Sequence, residues 1–194
     1  KLLSGASDRP AVGAALAQWK ALEFEQAAAE AGLCVTAMRS FEEWDATPQG
    51  QAVQALQPVE LIRIGDAPPT PLPAGGARPL EGVRVLELTR VIAGPVCGRT
   101  LAAHGADVLH ISAAHLPAFD HLNVDVNRGK RSAQLDLRSD EGRAKLRALA
   151  AQADVFIQVY RPGAVASHGF APTELAALRP GIVGSRRRFV GCRA

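Results

Sequence analysis

The pattern of apolar and polar positions changes character partway along the chain. Residues 10–31, PAVGAALAQWKALEFEQAAAEA, are rich in alanine, leucine and glutamate and predict a helix or a helical pair, with Gly32 as its stop. LCVTAM (33–38) predicts a short strand. Ser40 before FEEWDA has the form of an N-cap, with Glu42 and Glu43 in the first turn, and Pro48-Gln49-Gly50 is expected to end that short helix. VELIRI (59–64) is apolar and β-branched and predicts another strand.

A stretch of different composition follows. GDAPPTPLPAGGARP (65–79) holds five prolines and three glycines without periodicity, the signature of a linker. Beyond it, strand and helix patterns alternate. VRVLELT (83–89) predicts a strand, AGPVCGRTLAAHG (93–105) a helix with Pro95 in its first turn, and ADVLHI (106–111) a second strand. SAQLDL (132–137) and VFIQVY (155–160) predict two more strands. Between them, Ser139 is placed to cap DEGRAKLRALAAQA, and later Thr173 to cap ELAAL before GIV (181–183). Short connections and strands apolar on both faces predict an α/β fold: a Rossmann-like open parallel sheet with flanking helices, preceded by a partial α+β segment. The expected division is 1–64, a linker at 65–79, an α/β part at 80–184, and an arginine-rich tail at 185–194.

Composition narrows the class without naming a function. The 194 residues are 47% hydrophobic and 21% charged, ordinary for a globular protein. No apolar run approaches a membrane span, and KLLSGASDRP lacks the apolar region of a signal peptide, so a cytoplasmic location is expected. The formal charge of +3 is more than cancelled by removing the four arginines of SRRRFVGCRA, so nucleic-acid binding does not follow from it. Cys34, Cys97 and Cys192 show no metal spacing and are expected to be buried or idle thiols. The five histidines show none either, so no metal is expected.

Three turns carry candidate chemistry. Thr89 to Gly94 lie at the carboxyl end of a strand, where open α/β sheets bind ligands, and the helix that follows offers free N–H groups. Arg90 adds a charge, and Gly94 allows close approach, so the turn suits phosphate; the alternative is a plain tight corner. NRGKRS (127–132) places Arg128, Lys130 and Arg131 before a strand. It is either a solvated edge or a second basic turn that helps hold a polyphosphate. Tyr160-Arg161-Pro162-Gly163 ends another strand, where Tyr160 either stacks on a purine or packs as a half-buried core residue. No G-x-G-x-x-G is present, which argues against a Rossmann-like protein that uses NAD.

Four motifs in order, PLEGVRVLELTRVIAGPVCGRTLAAHGADVLHI, NRGKRSAQLDLRSDEGRAKL, ADVFIQVYRPGAVASHGF and ELAALRPGIV, together resemble the class III CoA-transferases. The resemblance implies a nucleotide-binding domain, coenzyme A as substrate, acyl-CoA and a carboxylic acid as partners, and a homodimer. It places Arg90, Val91, Ile92 and Ala93 on the CoA-contacting turn, Lys130 at a CoA phosphate, and Tyr160 near adenine. Positions that carry arginine, asparagine and arginine in many members are here Ala113, Val159 and Ser167. AEAGLCVTAMRSFEEWDATPQG and VELIRIGDAPP resemble the closing section of such a unit, so the chain reads as the end of one unit joined to the start of another. The family's nucleophile is an aspartate that takes the acyl group from the thioester. It is expected beyond GIV, outside this sequence, which leaves a non-catalytic CoA-binding fragment as the alternative reading.

Overall fold

The computed structural model describes residues 2–57, 59–68, 70–72 and 76–186. The chain divides into two compact units, Lys1–Val59 and Glu60–Ala194.

The first unit contains four helices among its described residues: α1 (Arg9–Leu16), α2 (Ala21–Glu30), α3 (Phe41–Asp45) and α4 (Pro48–Gln54). The predicted helical pair is α1 and α2. Gly32, at φ +72°, ends α2 in the left-handed conformation. The Leu33 N–H donates to the Ala28 carbonyl and the Gly32 N–H to Ala29, as in a Schellman stop. Ser40 caps α3 in a full capping box with Glu43. Pro48 does not end the chain's helical course as expected. With its φ preset, it opens α4, capped by the Thr47 hydroxyl on the Gly50 N–H at 2.9 Å. The strands expected at 33–38 and 59–64 are absent among the described residues. A strand needs a paired neighbour and a buried face, and Met38 and Leu61 are 98% and 95% exposed.

The second unit is the α/β part: β1 (Arg84–Leu88), α5 (Ala93–Ala103), β2 (Asp107–Ser112), α6 (Asp120–Val126), β3 (Arg131–Gln134), α7 (Asp140–Ala150), β4 (Val155–Gln158), α8 (Pro172–Leu178) and β5 (Val183–Arg186). All pairings are parallel and the sheet order is β3-β2-β1-β4-β5. This is the expected open sheet, with three differences in detail. β3 is shorter than predicted. Helix α6 forms in the stretch read as irregular. Helix α8 starts at Pro172 rather than after a Thr173 cap, and the Glu174 carboxylate accepts the Ala171 N–H at 2.6 Å. Ser185 and Arg186 belong to β5, so the strand runs into the first arginine of the tail; residues 187–194 lie outside the described residues.

Alternation along the strands sends successive side chains to opposite faces. Leu86, Leu88, Ile111 and Phe156 meet α7 and α8 through Leu146, Ala150 and Leu175. Gly142, Leu146 and Ala150 form one buried stripe four residues apart along α7. On the other face, Val85, Val108 and Ile157 pack with Ala102 and Ala106. There α5 buries Gly94, Gly98 and Ala102, again four residues apart, so this helix lies close on the sheet. Leu146 is 0% exposed, and Leu146→Ala is expected to cost about 3 kcal/mol. Leu61→Ala, at an exposed site of the same unit, is expected to stay within about 0.5 kcal/mol. Urea unfolding followed by circular dichroism measures both.

Candidate functional site at the carboxyl edge of the sheet

The strand order reverses at β1, whose neighbours are β2 on one side and β4 on the other. In open α/β sheets the crevice for a ligand opens at such a point, outside the carboxyl ends of the strands. The turn after β1 holds Arg90 and the segment after β4 holds Tyr160, and the structure brings these two predicted residues together. A cleft of about 270 Å³ opens beside them, lined among others by Arg90, Val91, His110, Ser112, Gln134 and Tyr160. Burial raises the Tyr160 hydroxyl above its ordinary pKa, and the nearby Arg90 charge opposes that shift. Tyr160 is half-buried and packs against the core while it lines the cleft, so both roles weighed for it are compatible with its position.

The turn itself is unusual. Val91 has φ +72°, a conformation that a β-branched residue rarely adopts. Val91 and Ile92 are 41% and 53% exposed. Ile92 precedes α5 with no side chain capping the helix, so the first N–H groups of α5 have no side-chain cap. Gly94 is buried rather than open to the cleft. A Cβ there would lie 2.7 Å from Thr89 and 2.8 Å from Val159, so this glycine lets α5 sit against β1 and the end of β4. The closeness it permits is between helix and sheet.

Lys130 and Arg131 are placed differently from expectation. Arg131 opens β3 and donates to both carboxylate oxygens of Asp107, which opens β2, so its charge is engaged at the amino edge of the sheet. The Lys130 side chain is 0% exposed. Its ammonium donates to Glu87 Oε1 at 3.0 Å, to the Pro95 carbonyl at 2.8 Å and to Asn127 Oδ1 at 3.4 Å. It also lies 2.7 Å from Glu87 Oε2, a contact that is ionic without being a well-aligned hydrogen bond. NRGKRS is therefore neither a wholly solvated edge nor a second basic wall of the cleft. One of its cations is structural and internal.

Glu87 is the residue that the sequence reading passed over. It is 0% exposed and accepts the Thr89 hydroxyl as well as Lys130. Burial pushes its carboxyl up and the Lys130 ammonium down, each opposed by the other's charge. A Cβ on Gly98 would come within 2.1 Å of Glu87 Oε2, so the second glycine of α5 makes room for this carboxylate. The available signal was the glutamate inside VRVLELT: a charge in a doubly covered parallel strand must be paired.

His110 was also missed. It sits opposite Glu87 in the β1–β2 register and is 8% exposed. Its Nδ1 is buried without a hydrogen-bond partner, 3.9 Å from Glu87 Oε1. Burial, helped by the Lys130 charge, lowers its pKa from 6.5 to about 4.

Two further aspartates make contacts within the fold. Asp154 accepts the Arg84 N–H at 2.9 Å and Arg179 at 3.0 Å, and Asp136 holds Arg138. Cys34 and Cys97 are exposed free thiols rather than buried ones, and Cys192 lies outside the described residues. Among the described residues no group of three potential ligands could hold a metal ion, and no helix is long and apolar enough to cross a membrane.

Comparison with known proteins agrees with this architecture. Residues 80–187 match CoA-transferase family III, and the chain belongs to that family. An acyl-CoA transferase of Gibberella moniliformis is 35% identical over 171 residues, 84% of this chain and 30% of the relative. A probable fatty acyl-CoA transferase of Mycobacterium tuberculosis, Rv3272, is 33% identical over 128 residues, 59% of this chain and 32% of the relative. The crystal structure of Rv3272 superposes with a TM-score of 0.54 at 33% identity, covering 58% of this chain and 32% of that one. A CAIB/BAIF family protein from Brucella suis gives 0.52 at 33% identity, covering 56% and 33%. The chain thus spans about a third of the length of these relatives.

The depressed His110 pKa makes a signed prediction. The unfolded chain binds the proton between pH 6.5 and about 4 while the folded one does not, so stability falls as the pH drops through that window. The loss from this residue is on the order of 3 kcal/mol. Urea unfolding at pH 7 and pH 4.5 is expected to show a smaller acid loss in His110→Gln than in the unaltered chain.

Proposed function

We propose that the cleft at the carboxyl edge binds the CoA part of a thioester. The protein to which this chain belongs then moves CoA between an acyl-CoA and a carboxylic acid. The observation that carries this reading is the meeting of Arg90 and Tyr160 across the point where the strand order reverses, over a cleft with a polar floor. The phosphate-bearing part of CoA is assigned to Arg90 and the backbone of Val91, Ile92 and Ala93, where free N–H groups and the helix dipole favour an anion; Gly94, buried against Thr89 and Val159, is not part of that assignment. Adenine is assigned to the Tyr160 ring. Lys130 serves this site from within the fold; Arg131, engaged by Asp107 at the amino edge of the sheet, is not part of it.

In this reading the chain binds CoA without turning it over. Acyl transfer through a covalent intermediate needs an unpaired carboxylate as nucleophile. Glu87, the buried carboxylate below the turn, is neutralised by Lys130 and is not such a group. The two units are read as the closing part of one transferase unit followed by the opening part of the next. The Gibberella match supports that order, because it extends well beyond residues 80–187.

Isothermal titration of the 194-residue chain with CoA tests the proposal. Binding is expected, weakened about tenfold by Arg90→Ala, which corresponds to ~1.4 kcal/mol, with a smaller difference at high salt. Tyr160→Ala is expected to weaken CoA and dephosphorylated adenosine compounds alike. A folded chain that binds no CoA would reject the site. Exchange of CoA between an acyl-CoA and free acids by the same preparation would reject the non-catalytic part.

A further inference from the structure

Two buried charges are tied to both ends of the ligand-facing turn. On the entry side, the Thr89 hydroxyl donates to Glu87 Oε1. On the exit side, the Pro95 carbonyl accepts Lys130 Nζ at 2.8 Å. Between these two anchors lie Arg90 to Gly94, with Val91 at φ +72°. A strained backbone conformation persists only where its surroundings over-determine it. Here the over-determination is visible: strand end, helix start and the loop before β3 converge on one ion pair. The second turn of α5 lies against the same carboxylate, since only a glycine at position 98 clears Glu87 Oε2.

Stability alone does not account for this arrangement. Desolvating two charges offsets most of their attraction, and well-packed apolar replacements of buried pairs are often neutral or stabilising. An apolar pair would fill the space but leave the Thr89 hydroxyl and the Pro95 carbonyl without these partners. We propose that Lys130 and Glu87 are positioning residues for the CoA-binding turn: they do not touch the ligand and act by clamping Thr89 and Pro95. For its ligand the proposal rests on the CoA reading above; for its mechanics it rests on the contacts alone.

The double variant E87L/K130M tests it. It is expected to remain folded, its thermal midpoint lowered no further than the unpaired Thr89 hydroxyl and Pro95 carbonyl require, while titration shows CoA bound at least tenfold more weakly. A purely structural pair would not separate these two readouts. A folded double variant that binds CoA within twofold of the unaltered chain would overturn the proposal. Should the variant fail to fold, native-state hydrogen exchange on the unaltered chain decides. The Val96 N–H, bonded to the Ile92 carbonyl at 2.8 Å, closes the turn. It is expected to exchange by the same opening as the N–H of Leu88 in β1. Exchange a hundredfold faster, by fraying of the helix start alone, would show that the pair does not clamp the turn. If the unaltered chain binds no CoA, the functional reading fails, and the exchange comparison still decides the clamp.

Discussion

The buried contact between Glu87 and Lys130 organises the ligand-facing side of the sheet. A carboxylate in the middle of β1 cannot remain charged in an apolar layer without a partner. Its partner comes from 43 residues further along the chain, and the ammonium then reaches the Pro95 carbonyl at the start of α5. Three separate pieces of backbone are thereby referred to one point. Gly98 must lack a side chain for that point to exist, and Thr89 gains a hydrogen-bond acceptor from it. His110 is left neutral beside it, held so by burial and by the same Lys130 charge.

The sheet divides along its strands in a way that follows from this contact. Below it, Val85, Val108 and Ile157 form an apolar layer with Ala102 and Ala106. At and above it the same face turns polar, through Glu87, Thr89, His110 and Ser112, and the cleft opens there. The core that holds the unit together is mainly on the other face, under α7 and α8. The main apolar core and the cleft beside Arg90 and Tyr160 thus lie on different parts of one sheet. Such a separation lets a loop carry strain at Val91 while the strands beneath it remain regular.

Family membership and geometry bear on different questions. The match over residues 80–187 establishes the kind of protein, and the relatives are about three times as long as the chain. The geometry addresses what this stretch does within such a protein. It brings Arg90 and Tyr160 together beside a cleft at the carboxyl edge of the sheet. In the cationic turn that resembled a second phosphate contact, Lys130 is paired with buried Glu87 and Arg131 with Asp107. The resemblance placed Lys130 near CoA, and in the fold its ammonium is held by Glu87, the Pro95 carbonyl and Asn127.

Much was legible in the residues themselves. Alternating strands and helices after residue 80, Ser40 and Ser139 as caps, and Gly32 as a helix stop all follow from local rules. These are capping, positive φ and apolar periodicity, which act within a few residues of chain. The failures share a cause. LCVTAM and VELIRI have strand composition, but a strand exists only with a neighbour, and no local signal supplies one. Pro48 reads equally as a stop and a start until the helix after it is seen. Gly94 reads as room for a ligand until Thr89 and Val159 are found against it. Glu87 and Lys130 look like a stray acid and a surface cation because their meeting depends on β1, α5 and the loop before β3 packing together. Sequence alone determined the alternation of strands and helices after residue 80 and several helix caps, because those are short-range properties. Which charges are buried, which glycine serves packing and which residues share the cleft were decided by tertiary structure, because each depends on groups brought together from distant parts of the chain.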